Sequence, residues 1–403
     1  MEIVVVGAGV FGSWIALLAS RAGHSVTLID RFGPANDRSS SSGESRIIRS
    51  AYGPDRIYTV MARRSLSMWT EFFRAHKPLG AAPEETGNVA ASGASVVRVS
   101  FKEQKCPQLF RQTGVLWIAD ATDPALLAAQ QVFEDLAIEH LWLDSGAIRR
   151  KFPEFQVSAG VTALFEPEAG ALLADRSVEA VFNAAVSAGT RYETAAIRPP
   201  DESAGRLGWV ETHTGKRIPG DLFIFAAGSW LPKLFPLLES IIRPTRQELY
   251  FFRAPDELQG APIWIDQSEP CIGYGFPDFG AGMKFGFHTL GPSFDPDCSS
   301  REVGQLQISD AARYIERRFH AMRAAEFRSA LVCHYENTPS GDFLIDRHPE
   351  IENAWFVGGG SGHGFKHGPA IAEYVLSVIQ GAMEPEPRFS LAASLGVPRA
   401  RVL

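Results

Sequence analysis

The apolar positions open the chain as a block and change period twice within thirty residues. Residues 3–6 (IVVV) are an unbroken β-branched run, the pattern of a strand buried on both faces. Residues 13–18 stay apolar at helical length, and residues 25–29 (SVTLI) return to a strand-like run. Residues 56–73 then place Ile57, Val60, Met61, Leu66, Trp69 and Phe73 where a helix buries one face. A strand is expected over 113–118, followed by a helix to about 137 with Asp123 as N-cap and Pro124 in its first turn. Residues 141–150 predict a short turn and helix, 165–170 (FEPEAG) a turn, 177–188 a helix, and 209–214 with 217–218 a hairpin around Gly215. A strand over 221–225 ends in Ala226-Ala227-Gly228-Ser229-Trp230. Short strands at 247–252, 263–266, 272–276 and 284–289 are separated by turn residues, the signature of an antiparallel sheet distinct from the first unit. A helix over 309–319, the segment 330–335, a strand at 355–357 and a helix over 369–380 complete the pattern. Residues 78–107 have no clear helical period and read as an inserted excursion at a domain boundary, with a hairpin around 96–101.

Between the first strand and helix stand Gly7, Gly9 and Gly12 in G-x-G-x-x-G spacing, and the second strand ends in Asp30. Each glycine has its own reason: a tight turn, backbone approach to a pyrophosphate, and close helix–strand packing. An acid about twenty residues on binds a ribose hydroxyl pair. The spacing alone is no more than a tight turn. A strand before it, a helix after it and the acid in place make it a dinucleotide cradle. Residues 3–19 are almost all apolar or small and invite comparison with a signal peptide or membrane anchor. They lack a basic leading segment and carry the three glycines, so that alternative is rejected, and no other stretch is suited to spanning a bilayer.

Composition narrows the class. A chain of 403 residues with 45% hydrophobic and 21% charged residues is ordinary globular usage, with core for roughly two or three domains. A net charge of -7 disfavours a polyanion-binding surface, so no nucleic-acid partner is expected. Cys106, Cys271, Cys298 and Cys333 form no C-x-x-C pair, which supports neither a disulfide framework nor a zinc site and makes a reducing compartment the default.

A polar loop after Asp30, with serines at 39 to 42, leads into Ser45-Arg46-Ile47-Ile48-Arg49. Arginines flanking apolar residues predict a partly buried segment, and buried guanidinium groups need anions such as phosphates or a substrate carboxylate. Near the other end, Trp355-Phe356-Val357 runs into Gly358-Gly359-Gly360-Ser361-Gly362-His363-Gly364-Phe365-Lys366 and a helix. Glycines there bare backbone N–H groups at a helix start, where the dipole favours negative charge. Two such sites in one chain suit a long ligand gripped at both ends, and FAD is such a ligand. His363 and His367 have H-x-x-x-H spacing, but glycines flank His363 and no third metal ligand is evident. Ser361 misses the G-x-S-x-G elbow of hydrolases. Glu166, Glu168 and Asp175 are readable as catalytic carboxylates, although a solvated turn explains them more cheaply.

Taken together, GAGVFG, SRIIRSAYG, EPEAGALLADR, AAGSW, GYGFPDFGAGMKFGFHTLGPSFDPD, VCHYENTPSGDFLIDRHPE and GGGSGHGFKHGPAIAE carry a resemblance that runs nearly end to end. The chain resembles the monomeric sarcosine oxidase and N-methyltryptophan oxidase group of FAD-dependent amine oxidases, within the D-amino-acid oxidase superfamily. The resemblance implies a covalent FAD, with Cys333 in a thioether to the flavin. It implies catalytic roles for Lys284, which activates dioxygen, for Arg46 close to the flavin, and for His288 in the substrate cavity. Arg49 and Lys366 are similar to the pair that binds the substrate carboxylate, and Tyr274 and Tyr335 to residues lining the same cavity. The cofactor set it implies is Gly7, Gly9, Gly12, Asp30, Arg31, Ser41, Ser42, Arg46, Cys333, Gly360, Gly362, His363, Gly364 and Lys366. Serines 39 to 42 depart from the pattern, because relatives commonly carry histidines before the S/T-R-I-I-R segment.

The chemistry implied is hydride transfer from the carbon next to an amine nitrogen to flavin N5, with O2 as acceptor and H2O2 as product. Candidate substrates are secondary amino acids, N-methyl or cyclic. The alternatives are a flavin amino-acid dehydrogenase using another acceptor, which loss of Lys284 would have favoured, a glycated (fructosyl) amino acid oxidase, and a non-catalytic redox sensor, which Arg49, Lys284 and Lys366 argue against. The expected fold is α/β: a discontinuous Rossmann-like FAD-binding domain (residues 1–80, 150–228 and 325–385) and a substrate domain on a mixed, largely antiparallel sheet (81–149 and 229–324), with a tail over 386–403. A cytoplasmic monomer without membrane or metal partners is expected.

Overall fold

The β-branched opening run forms strand Glu2–Val6, and Ile3 to Val6 are all buried. Each such side chain contributes about 1.5–3 kcal/mol through burial, which fixes the strand at the centre of a sheet. It pairs in parallel with Ser25–Asp30 on one side and Leu222–Phe225 on the other. Edge to edge, this sheet runs Leu344–Arg347, Ala354–Gly358, Leu222–Phe225, Glu2–Val6, Ser25–Asp30, Arg191–Thr194, and only Leu344–Arg347 runs antiparallel to its neighbour. Helix Val10–Arg21 packs on it between helices Ala174–Ser187 and Gly368–Ile379. The computed structural model describes residues 1–76, 109–269 and 271–395. The excursion over 78–107, the hairpin around 96–101 and Cys106 therefore lie outside the described residues.

A second sheet of eight strands runs Phe327–Asn337, Arg243–Phe252, Met283–His288, Ile272–Phe276, Ile263–Asp266, Val115–Asp120, Val161–Glu166, Leu141–Asp144. All neighbours are antiparallel except Ile263–Asp266 with Val115–Asp120, so the sheet is mixed and largely antiparallel, as expected. Val161–Glu166 and Phe327–Asn337, which the sequence assigned to the nucleotide-binding segments, are strands of this sheet. The short strands Arg46–Ile48 and Phe110–Arg111 flank Gly170–Leu172 in a third sheet. Among the described residues no helix is long and apolar enough to cross a membrane.

Local chemistry accounts for many boundaries. Asp123 caps helix Pro124–Asp135 by accepting from the Ala125 and Leu126 N–H groups at 3.0 and 2.8 Å, a cap worth about 1 kcal/mol. Two expectations need correction. Residues 141–144 form a strand rather than a turn, and Asp144 caps helix Ser145–Lys151 behind it. Phe165 and Glu166 close strand Val161–Glu166, which leaves only 167–169 to the turn. In both places a partner strand overrides local turn propensity: Leu116 and Val115 stand opposite Phe165 and Glu166.

Candidate functional site

The glycine turn after the first strand shows what each glycine does. Gly7 holds φ +108°, and a Cβ there would meet the Ala226 carbonyl oxygen at 2.3 Å. A Cβ on Gly12 would stand 1.8 Å from the Gly7 oxygen, so helix and turn touch only because it is absent. Asp30 accepts from the N–H groups of Ala8, Phe32 and Gly33 at 2.8, 2.8 and 2.9 Å, tying the end of the second strand to the turn. Burial still pushes its carboxyl above the usual range. Ser41 Oγ accepts from the Val10 N–H at 3.1 Å, which brings the serine loop over the helix N-terminus.

Above this turn lies a cavity of about 360 Å³. Gly7, Gly9, Asp30, Arg31, Ser41 and Arg46 line it, and at its far end stand Gly360, Gly362 and Gly364. Gly12 is absent from its lining, in keeping with its packing role, and Ser42 offers its carbonyl to Arg46 instead. A backbone cradle that no Cβ fits, a carboxylate at the end of the second strand and a second glycine turn at the far end fit the pyrophosphate, ribose and ring end of FAD.

Strand Phe327–Asn337 divides the site by simple alternation. His334 and Glu336 face the large cavity, Cys333 faces a smaller one of about 90 Å³, and Tyr335 lines both. The neighbouring strands put Ile272 opposite His288, Tyr274 opposite Gly286 and Phe276 opposite Lys284, so one sheet face forms the floor of the small cavity. Gly286 makes room for Tyr274, whose hydroxyl would lie 2.9 Å from a Cβ there. The rest of its lining comes from opposite ends of the chain, Arg46 and Arg49 from one and Gly362, His363 and Lys366 from the other. Apart from Gly12 and Ser42, the sequence-predicted site residues thus line two adjoining cavities, and of the cofactor set Cys333, His363 and Lys366 are on the small one only.

Among the described residues, four cations, Arg46, Arg49, Lys284 and Lys366, line the small cavity, and no carboxylate does. Arg46 donates to the carbonyls of Ser45, Ser40 and Ser42. Lys284 is 1% exposed and donates to the Ser45 carbonyl and hydroxyl at 2.7 and 2.6 Å, with its ammonium 3.7 Å from the centre of the Phe276 ring. Burial first and Arg46 second push this ammonium down to about 7, against the pull of Glu44. Arg49 is 4% exposed and lies over the Tyr52 and Trp117 rings at 4.8 and 5.0 Å, and its Nη1 has no hydrogen-bond partner among the described residues. Lys366 donates to the His363 carbonyl at 3.1 Å. Burial, then Arg49 and Lys366, push His288 down to about 4, so its ring is neutral at pH 7. Burial lifts the Cys333 thiol, against Arg46 and Lys284. Tyr335 donates to the Tyr274 hydroxyl, and burial pushes Tyr274 up to about 12.

Some residues that shape the site carry no clear mark in the sequence. Glu166 is buried behind Arg49 rather than solvated in a turn, and both its oxygens stand 2.7 Å from the Ser50 N–H. Glu168 pairs with Arg63 at the surface, whereas Asp175 accepts from the Gly43 N–H at 2.8 Å. His334 Nε2 donates to the Arg38 carbonyl at 2.7 Å, which leaves Nδ1 to accept from Ser229 and Ser40 at 2.7 and 3.1 Å, so one ring ties three cradle segments together. The only sequence signal for Glu166 was an acid ending an apolar strand. His363 and His367 meet on the Tyr52 hydroxyl at 3.2 and 2.7 Å.

A glycine-cradled nucleotide cavity opening onto a small cationic chamber defines a flavin-dependent oxidoreductase. The family described as FAD dependent oxidoreductase matches residues 2–377, and the chain belongs to it. Across 382 residues it is 28% identical to the monomeric sarcosine oxidase of Arthrobacter sp. (strain TE1826), covering 92% of this chain and 90% of the relative. It is 24% identical over 392 residues to the N-methyl-L-tryptophan oxidase of Yersinia pestis (strain Pestoides F), covering 95% and 96%. The structure of L-proline dehydrogenase from P. horikoshii shares the fold, with a TM-score of 0.78 at 18% identity over 96% of this chain and 95% of that one. The resemblance and the fold class expected from the motifs are both borne out.

Proposed function

We propose that the protein is an FAD-dependent oxidase of secondary amino acids, N-methyl or cyclic, using O2 and forming H2O2. The observation that carries this reading is Arg49: a buried guanidinium that, among the described residues, has an unpartnered Nη1 and shares a chamber of four cations and no acid. Such a chamber asks for an anion, and a substrate carboxylate supplies one. When bound, FAD supplies a hydride acceptor and a route for the electrons to O2. Arg49 offers a fork and Lys366 a point charge to the carboxylate. His288, neutral at pH 7, does not repel an amine, and Tyr274 and Tyr335 close the walls. Lys284 holds positive charge where negative charge develops on oxygen. The names of the sarcosine and N-methyltryptophan oxidases support a secondary amine. A monomer, as the name of the Arthrobacter relative suggests, and a cytoplasmic setting belong to the same proposal.

A panel of N-methyl, cyclic and glycated amino acids, mixed anaerobically with the holoenzyme, tests this reading. At least one N-methyl or cyclic amino acid should bleach the flavin, and air should restore the colour with H2O2. Bleaching only by glycated or carboxylate-free amines would refute the substrate class, and colour restored by a quinone but not by air would refute the oxidase. The proposed thioether at Cys333 has its own test: acid-precipitated wild-type protein should keep its yellow colour, and Cys333→Ala should release it.

A further inference from the structure

Glu336 has no part in the chemistry above, yet it is the carboxylate most in need of explanation. It is 7% exposed, in the strand whose alternation turns it toward the cofactor cavity, which it lines. Its Oε1 accepts from the Gly360 N–H at 3.3 Å, and Oε2 has no partner among the described residues. Glycines ring the carboxyl: a Cβ on Gly228 or Gly358 would come within 3.4 or 3.6 Å of Oε2, and one on Gly360 within 3.0 Å of Oε1. No cation contributes to its electrostatics, and burial pushes it up to about 7 against the Gly360 and Gly359 N–H groups. A buried carboxyl oxygen left unpaired loses its hydration with nothing in return, so it calls for a partner.

The place of Glu336 along the cavity says what that partner is. At one end of the lining are Gly7, Gly9 and Asp30, the pyrophosphate and ribose end. At the other are Tyr335, Gly362, Phe365 and Arg46, which also line the small cavity where the reacting ring belongs. Glu336 lies against Gly228, just past the Ala226 carbonyl that closes on Gly7, and against Gly360, where the far glycine turn begins, and so stands between the two ends. The stretch of FAD that joins pyrophosphate to ring is the ribityl chain, a run of hydroxyl groups. A hydroxyl both donates and accepts, so it satisfies the carboxyl whether that is ionised or neutral, whereas a phosphate oxygen satisfies only the neutral acid. We propose that Glu336 is a cofactor-binding residue whose free carboxyl oxygen pairs with a ribityl hydroxyl of FAD. This rests on FAD binding, not on the amine substrate.

The test uses Cys333→Ala protein stripped of flavin, in which binding is reversible, titrated with FAD and with ADP. ADP fills the pyrophosphate end but has no ribityl chain. Glu336→Leu should weaken FAD at least tenfold and leave ADP within about twofold, while Glu336→Gln, which keeps an oxygen in place, should hold FAD within about threefold. Should the leucine variant not fold, Glu336→Ala takes its place with the same expectation. Equal losses for FAD and ADP would place the contact at the phosphates or reveal a disturbed cradle, and overturn the assignment. Unchanged FAD binding, or a glutamine variant as weak as leucine, overturns it too.

Discussion

The two adjoining cavities recognise their contents by opposite means. The large one is shaped at both ends by backbone, glycines that admit no Cβ and turns tied down by Asp30 and Ser41, with side chains such as Glu336 between. The small one is walled by side chains, and its charge comes from residues as far apart as Arg46 and Lys366. Backbone suits a ligand that never varies, because main-chain donors persist whatever the side chains are. Side-chain charge suits a site that selects and reacts, because each group can be exchanged and its protonation tuned by burial. The acids follow the same division: Glu44 and Glu166 sit behind the small cavity's wall, near Lys284 and Arg49, and leave the chamber itself cationic.

If the small cavity is the reacting one, its largest single contribution is the Lys284 charge. Lys284→Met should slow reaction of the reduced holoenzyme with O2 by about a hundredfold to a thousandfold, the range for losing one group that stabilises developing charge, and change flavin reduction by substrate far less. Stopped-flow traces of both half-reactions check this, and equal slowing of the two would show that Lys284 only supports the structure. Next in size is the carboxylate pair. Arg49→Met or Lys366→Met should cost roughly 2–5 kcal/mol in kcat/KM for carboxylated amines and little for decarboxylated analogues. A wild-type enzyme that turns over both kinds equally well would erase the distinction between the cavities.

The same contrast explains what was legible in the sequence. The large cavity's first wall is local: Gly7, Gly9, Gly12 and Asp30 lie within one strand–helix–strand unit, so spacing alone displays it. The second sheet was legible as short strands, but its true extent was not, because Val161–Glu166 and Leu141–Asp144 are strands by virtue of partners elsewhere. The small cavity has little local signature. Arg49 was marked only as one of two arginines flanking an apolar pair, and Lys284 is an ordinary charge until the fold buries it at 1% exposure, picked out by the family resemblance alone. Glu166 was weighed and set aside as part of a solvated turn, and His334 escaped notice, because the meaning of each is entirely in what it faces.

The backbone side of the comparison is broken most directly at Gly12. A Cβ there meets the Gly7 carbonyl oxygen, a backbone atom that cannot swing away, so turn and helix must part. Gly12→Ala should lower stability by about 1–3 kcal/mol, the range for overpacking, and reduce FAD content on purification. Thermal unfolding and the flavin-to-protein absorbance ratio measure both. Full flavin content and an unchanged Tm would show that the cradle does not depend on this approach.

The smallest effect is a pH dependence, and it follows from the burial of Lys284 in the small cavity. Burial, with Arg46 beside it, holds the Lys284 ammonium down to about 7, well below an ordinary lysine. With a lowered value the cation is present below that pH and is lost as pH rises through it. An O2 reaction that needs the cation therefore falls as pH rises, by at most about tenfold per unit, since the charged fraction declines tenfold per unit well above the midpoint. An anion bound nearby moves the midpoint upward but cannot reverse the direction. The rate constant for O2 reacting with reduced holoenzyme, measured from pH 6 to 10, should decline in the wild type and stay flat, at its lower level, in Lys284→Met. A wild-type rate that rises with pH, or the same decline in both proteins, would assign the titration to another group and remove Lys284 from the reaction.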